Sequence, residues 1–174
     1  ATISDNDRIF DFSNSDRRLY WDTGGSGRFE FTVAGSSTTG KVSTSTITTG
    51  VWTHIVATFE GGNTGAQKLY VNGTLDTNLD ATVSAPLEIS DYDCFIGARA
   101  TGHICDAAVW RKELSAADVT EAYNNGARHN LEQTTAAAGR NLISWWKLGD
   151  DVDDATDGST SYSLGGNSMI DQMG

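Results

Sequence analysis

The sequence predicts an all-β protein with one short helix, and three observations favour this class. Glycine occurs 19 times and proline once, a composition typical of many short strands joined by polar turns. Apolar side chains recur at alternate positions, so that Phe29, Phe31 and Val33 share one face. Asn72-Gly73 stands between two apolar runs and is the strongest short signal for a β-hairpin.

The first half of the chain is predicted to consist of strands separated by turns. Arg8–Phe12 and Arg17–Trp21 alternate with the strand period, and the residues between them have turn chemistry. Lys41–Thr48 is rich in β-branched residues and is predicted to be an edge strand. Val51–Phe59 is apolar on both faces, which predicts an inner strand.

One helix is predicted near the end of this pattern. Ser115 is its N-cap, and Asp118 completes a capping box three residues later. Asn125-Gly126 then provides a left-handed cap at the C-terminal end. A single apolar stripe is formed by Val119, Ala122 and Tyr123. Such a helix is expected to plug an open end of the core.

Charge and hydropathy exclude two classes of partner. The net charge of -11 argues against binding to a nucleic acid backbone, which requires clustered Lys and Arg. No stretch approaches the roughly 20 apolar residues of a membrane-spanning helix, so no membrane insertion is expected.

The N-terminus shows no signal-peptide pattern and no initiating Met, which favours a processed chain or a piece of a longer protein.

The two cysteines are candidates for a disulfide. A tight hairpin centred on Arg99-Ala100 would place Cys94 opposite Cys105 on adjacent strands. A disulfide and a buried pair of thiols both fit this arrangement, since free Cys packs well as a small hydrophobe. The redox compartment therefore stays open.

Residues 51–126 resemble the laminin-G-like family in the order and spacing of their elements. The resemblance implies a concanavalin-A-like jelly roll, a two-sheet antiparallel β-sandwich with one short helix, over residues 1–130. It also implies a binding surface rather than chemistry. Cys105 stands where the family commonly has its first acidic residue, which weakens the transfer of a metal ligand to this position. The matching positions are Ile96-Gly97, Gly102-His103-Ile104, Val109-Trp110 and Leu114-Ser115-Ala116-Ala117-Asp118.

Residues 131–174 are predicted to form a C-terminal extension. Its apolar segment 141–148 is similar to the opening strand of a laminin-G-like domain, and it either completes the sandwich or opens a following module. The wider pattern YNNG, LISWWKLGD and IDQMG resembles segments that follow such modules in surface proteins of marine bacteria and their viruses. This resemblance implies a location outside the cell or on a virion.

Catalysis is not expected. Glucanases on this fold need two carboxyl groups that flank the scissile bond, and the nearest candidate, Glu88–Asp91, lacks the necessary alternation. The three histidines are scattered without metal-ligand spacing, so structural or surface roles are expected for His54, His103 and His129.

A calcium site is the candidate that merits a test. Asp91 and Asp93 bracket Tyr92 just before a strand, and calcium prefers such oxygen ligands. The alternative is that both are ordinary solvated turn acids. The acidic run 150–158 lacks a third ligand and a closing Glu, so a solvated loop is expected there.

The predicted function is recognition. Tyr92 is the candidate ligand contact, whereas Trp21 and Trp145 lie within apolar alternations and are expected in the core. The chain is predicted to be a non-catalytic module whose rim loops bind a glycan or a protein partner. The alternative is a structural virion protein, a capsid decoration or a tail or fibre component, that acts by protein–protein assembly and forms a homo-oligomer.

Overall fold

The computed structural model describes residues 7–12, 18–22, 27–32, 41–60, 65–76, 81–83, 94–97 and 102–148. Within them the chain is mostly β, with one α-helix, α1 (Ala116–Tyr123), and three short 3₁₀ turns. The strands are β1 (Asp7–Phe12), β2 (Arg18–Asp22), β3 (Arg28–Thr32), β4 (Lys41–Val42), β5 (Ile55–Phe59), β6 (Gly65–Val71), β7 (Thr74–Leu75), β8 (Ala81–Val83), β9 (Cys94–Ile96), β10 (Ala107–Trp110) and β11 (Leu142–Trp146). The predicted all-β class with one short helix is confirmed.

Three antiparallel sheets are formed by these strands. The first has the order β4-β3-β2-β1-β9, and the second joins β5, β7 and β8 to the central strand β6. The third pairs β10 with β11. None of the helices in the described residues is long and apolar enough to cross a membrane.

The main core lies between the first two sheets. Leu19, Trp21 and Phe29 from the first sheet pack with Leu69 of β6, which is completely buried. The rings of Trp21 and Phe29 meet edge to face at 5.2 Å, the arrangement that aromatic quadrupoles favour. The prediction that Trp21 belongs to the core is confirmed.

A second core lies on the other face of β6. Because side chains alternate along a strand, Tyr70 points away from Leu69 and contacts the helix side of the sheet. Tyr70, Leu114, Val119 and Ala136 form this cluster. The helix thus covers an outer face of the second sheet, and its residue Val119 is fully buried against that face.

The helix ends as its sequence predicts, with one shift. The Ser115 hydroxyl accepts a hydrogen bond from the Asp118 N–H, and the Asp118 carboxylate accepts one from the Ser115 N–H. This capping box confirms the predicted start of α1. The left-handed C-cap is Asn124, one residue before the predicted Asn125, which is also left-handed.

The Asn72-Gly73 hairpin is confirmed. Val71 pairs with Thr74 across the turn, and Asn72 and Gly73 both have positive φ. Two consecutive left-handed residues give the type I′ geometry whose twist matches the flanking strands. The turn lies against α1, since the Thr120 hydroxyl donates to the Gly73 carbonyl.

Two predicted strands are shorter than expected. β5 begins at Ile55 rather than Val51 and, in the described residues, pairs only with β6. Trp52 precedes it and is 66% exposed. In the segment 41–48 only Lys41–Val42 is a strand, at the predicted edge position. The N–H groups of Thr44 and Ser45 donate instead to the Asp76 carboxylate, which replaces a strand ladder.

The second predicted hairpin is wrong. β9 pairs with β1 in the first sheet, whereas β10 pairs with β11 in the third. The two strands therefore do not face each other in the described part of the chain. The neighbour of β10 is instead a strand more than thirty residues downstream.

β11 lies within the predicted C-terminal extension and pairs with a strand of the predicted sandwich. Its register sets Trp146 opposite Ala107 and Trp145 opposite Ala108. The ring of Trp146 lies 6.5 Å from that of Phe10 in β1, which connects the third sheet to the first. A domain boundary at residue 130 stays a prediction.

Candidate functional site

An open cavity of about 220 Å³ lies at one end of the β10–β11 sheet. One part of its wall comes from residues just before β10 and at the end of β11. The other part comes from the segment that follows α1. The lining residues are Asp106, Arg128, His129, Asn130, Trp145 and Lys147.

The strand register brings the first part of this wall together. Side chains alternate along β11, so Trp145 and Lys147 lie on the same face of the sheet. The Asp106 N–H donates to the Lys147 carbonyl at 3.2 Å, which continues the ladder beyond β10. Asp106 has a φ of 51°, a left-handed conformation that is uncommon for a residue other than glycine. This backbone places its carboxylate beside the Trp145 indole.

The Asp106 carboxylate is the centre of the site. Arg128 donates to it twice, from Nε to Oδ2 and from Nη2 to Oδ1, both at 3.0 Å. The Trp145 indole N–H donates to Oδ1 at 3.2 Å. A forked arginine–carboxylate pair fixes direction as well as distance. Asp106 therefore holds both the guanidinium and the indole in place, and its oxygens are engaged within the protein.

The remaining lining residues add a cation and further polar groups. The Lys147 ammonium lies 4.9 Å from the centre of the Trp145 ring, within cation–π range. Asn130 uses its side-chain oxygen to accept from the Glu132 N–H, which leaves its amide N–H groups as donors. The Nε2 atom of His129 is buried and has no hydrogen-bond partner in the structure. The cavity thus combines an aromatic ring with polar groups that mostly donate.

Cys105 adjoins the site but is not suited to nucleophilic chemistry. Burial raises the pKa of its thiol, and the negative charge of Asp106 raises it further, while Arg128 partly opposes them. A thiol with a raised pKa carries little of the reactive thiolate at neutral pH. Both Cys94 and Cys105 are free thiols in this structure. The predicted facing pair is not formed, because its hairpin is not formed.

The predicted site residues fall in two groups. Asp91, Tyr92 and Asp93 lie outside the described residues, so the ligand contact and the calcium site there stay predictions. Trp145 is described, and the expectation that it belongs to the core is wrong. It is only partly buried and lines the cavity. Among the described residues, no group of three or more His, Cys, Asp or Glu side chains is placed to hold a metal ion.

Sequence reasoning missed Asp106 and Arg128. Asp106 follows Cys105 without belonging to a recognisable motif, and Arg128 lies in a short loop without a motif. Their role depends on the pairing of β10 with β11, which joins Ala108 to Trp145. No local pattern in the sequence encodes that pairing. The one local pattern that could have pointed to this site was the Trp-rich apolar segment that forms β11.

The comparison with protein families agrees with this architecture. A laminin-G-like family model, described as the concanavalin A-like lectin/glucanases superfamily, matches residues 1–120. The chain belongs to this superfamily. The match includes the first sheet and so extends well before residue 51, where the resemblance noted from the sequence begins. No curated protein matches the chain.

Laminin-G-like membership favours binding over catalysis, because domains of this kind are generally non-catalytic binding modules. The matched residues include Asp106 but end before Arg128 and Trp145. The cavity is therefore built partly from the superfamily domain and partly from the segment that follows it. Its chemistry has to be inferred from its own side chains.

Proposed function

We propose that this chain is a non-catalytic recognition module that binds a glycan in the cavity beside Trp145. The observation that carries the proposal is the fixed geometry of the Asp106 carboxylate, which holds the Arg128 guanidinium and the Trp145 indole together at the cavity. Binding sites of this kind use an aromatic surface for contact area and a few oriented polar groups for specificity.

The side chains of the cavity suit a sugar better than a reaction. A sugar ring has an apolar face that packs on an indole, and hydroxyl groups that accept from Arg128 and Asn130. Glycoside hydrolysis requires two carboxyl groups on either side of the scissile bond. Asp106 is the one carboxylate of the described cavity lining, and Arg128 neutralises it. Both facts support binding without turnover.

The wider setting of the proposal is a cell or virion surface. The partners would be a surface glycan or a surface or virion protein. The loop with Asp91, Tyr92 and Asp93 would supply a second contact, with calcium held by the two carboxylates. That loop is a separate part of the proposal and is tested separately.

Glycan-array binding of the purified chain, with calcium and again after chelation, tests the proposal. We expect binding to a coherent class of sugars, reduced at least tenfold by Trp145→Ala. Trp52→Ala is the matched control, since it removes an exposed indole that does not line the cavity. Loss of binding on chelation would support the calcium site, and unchanged binding would remove calcium from the proposal.

Two results would overturn the proposal. If folded wild-type chain binds nothing on a broad array, a glycan is not the ligand. If Trp145→Ala binds as well as the wild type, the cavity is not the site. Asp106→Asn serves as a second variant, because it keeps the size of the side chain and weakens the hydrogen bonds that the carboxylate accepts from Arg128 and Trp145.

Assembly is the second candidate function, and a different observation favours it. Val51 and Trp52 are 61% and 66% exposed beside each other just before β5, and Phe95 in β9 and Ile143 in β11 are also exposed. Exposed large apolar side chains are common at protein–protein contacts. Light scattering coupled to gel filtration tests this role. A stable oligomer that Trp52→Ala dissociates would support assembly, and a monomer at high concentration would count against self-association.

A further inference from the structure

We infer that Asn125 is a site of spontaneous modification in the folded chain, where its side-chain amide is lost and an aspartyl or isoaspartyl residue forms. The sequence contains two Asn-Gly pairs, Asn72-Gly73 and Asn125-Gly126. The fold holds the two pairs differently, and this difference decides which of them reacts. The modification is independent of the proposed binding function.

The reaction joins the side chain of an asparagine to the backbone nitrogen of the next residue. The Gly126 nitrogen bonds to the side-chain carbonyl carbon of Asn125, and the proton of its N–H leaves with the amide nitrogen as ammonia. Water then opens the cyclic imide at either of its carbonyl groups, which gives aspartate or isoaspartate. Glycine in the second position favours ring closure, because it has no Cβ to obstruct the approach and its backbone rotates most freely.

The hairpin fixes Asn72 through both its backbone and its side chain. The Asn72 N–H donates to the His54 carbonyl at 2.8 Å, and Asn72 Oδ1 accepts from the His54 N–H at 3.0 Å. Val71 pairs with Thr74 across the same turn. Ring closure has to rotate the backbone of Asn72 and turn its amide carbon toward the Gly73 nitrogen. These hydrogen bonds therefore have to break before Asn72 can react.

Asn125 lies in an exposed turn directly after α1. The 3₁₀ turn Asn124–Gly126 buries none of its residues, and the Ala127 N–H closes it on the Asn124 carbonyl at 3.1 Å. Within the part of the chain that the structure describes, the Asn125 side chain has no hydrogen-bond partner. A segment with an exposed backbone and few buried contacts opens at a low cost in free energy. Asn125 thus reaches the reactive geometry more often than Asn72 does.

The products change charge and chain length beside the cavity. Both replace a neutral amide by a carboxylate, and isoaspartate also adds one carbon atom to the backbone. Three residues after Asn125, the Arg128 guanidinium is held by the Asp106 carboxylate. The longer backbone would therefore lie between α1, which packs on the second sheet, and a side chain that is fixed at the cavity.

Peptide mapping of the full chain by mass spectrometry tests this assignment. Trypsin places Asn72 and Asn125 in separate peptides, 69–99 and 113–128. The native chain and the chain in urea are incubated in mildly alkaline buffer, and the loss of each amide is followed with time. In the native chain we expect Asn125 to react about tenfold faster than Asn72, the factor by which one or two net hydrogen bonds disfavour opening of the hairpin. In urea the two rates should become similar.

Asn125→Gln is the control for the position of the reaction. A glutamine would have to close a larger ring, so peptide 113–128 of this variant should gain almost no isoaspartate. Isoaspartate in that peptide is measured by enzymatic methylation of its free carboxyl group. The unfolding midpoint of the variant in urea verifies that it is folded.

Three results would overturn the assignment. A native chain in which Asn72 reacts as fast as Asn125, or faster, would show that the hydrogen bonds to His54 give no protection. Reaction of both asparagines in urea but of neither in the native chain would show that the turn after α1 is as closed as the hairpin. Loss of the Asn125 amide without any isoaspartate would exclude the cyclic imide.

Discussion

Asp76 accepts hydrogen bonds from Thr44 with both oxygens of its carboxylate. One oxygen accepts from the Thr44 N–H at 2.8 Å, and the other accepts from the Thr44 hydroxyl. The Ser45 N–H adds a third hydrogen bond at 3.0 Å. Asp76 follows β7 in the second sheet, whereas Thr44 follows β4 in the first. One buried side chain thus ties the two sheets together at an edge.

Asp76→Asn is expected to destabilise the fold by about 1.5–3 kcal/mol, the range for hydrogen bonds to a charged group. An amide keeps the shape of the carboxylate but presents an NH₂ group where one oxygen now accepts. Urea unfolding at pH 7 measures the effect. Glu132→Gln is the control, because it removes one negative charge from an exposed side chain.

The same carboxylate makes stability depend on pH. Burial alone would raise the pKa of Asp76, but the hydrogen bonds from Thr44 and Ser45 outweigh it and lower the pKa below 3.8. The unfolded chain then takes up this proton at a higher pH than the folded chain does. The contribution is complete above pH 3.8 and is lost as the pH falls through the lower, folded pKa. Asp76→Asn should remove this part of the acid sensitivity.

Gly73→Ala is expected to cost more than the strain of its backbone. Gly73 has a φ of +76°, and an added Cβ would lie 2.6 Å from Cδ1 of Tyr123. The left-handed conformation alone costs a residue with a side chain about 1–2 kcal/mol. The close contact adds to this cost, because Tyr123 belongs to α1 and its ring lies against the hairpin turn. Urea unfolding measures the sum.

Gly50→Ala separates the two effects. Gly50 has a similar φ of +80°, but nothing lies within 4 Å of an added Cβ. Its loss of stability should reflect the backbone alone and be the smaller of the two. Equal losses at both positions would show that Tyr123 yields without cost and that the close contact is unimportant.

Local sequence patterns were sufficient for the helix and for the Asn72-Gly73 hairpin. The capping box of Ser115 and Asp118 and the Asn72-Gly73 turn depend on neighbouring residues, so the sequence states them directly. The partner with which each strand pairs was harder to predict. Cys94 and Cys105 were expected on one hairpin, but β9 and β10 belong to different sheets. An apolar alternation shows that a strand has a buried face without identifying its neighbour.

The residues of the candidate site were harder still to predict, because they too depend on which strands pair. Trp145 alternates with apolar residues and so reads as a core residue, yet the register opposite Ala108 places it at a cavity. Its hydrogen bond goes to Asp106, 39 residues away along the chain, and Asp106 in turn pairs with Arg128, 22 residues farther on from it. Such contacts are fixed by sheet pairing and by the path of the chain after α1. Neither leaves a periodic pattern in the sequence.

Both thiols are expected to react slowly in the folded chain. Burial and the charge of Asp11 raise the pKa of Cys94 to about 11, and burial raises that of Cys105. Labelling by a thiol reagent such as iodoacetamide at pH 7.5 should be much slower in the native chain than in urea, and should accelerate with pH. Two modified cysteines without prior reduction would agree with the free thiols, whereas two unmodified cysteines in urea would reveal a disulfide.

His54 is expected to make the fold less stable in mild acid. Its ring lies 5.4 Å from that of Tyr123, and burial lowers its pKa below 6.5. The folded chain thus favours the neutral imidazole, while the unfolded chain takes up a proton near pH 6.5. The free energy of unfolding should therefore fall as the pH drops from 7.5 to 5.5. His54→Asn should show a smaller fall, whereas His103→Asn, at an exposed position, should behave as the wild type. A fall of equal size in all three proteins would mean that another group is responsible.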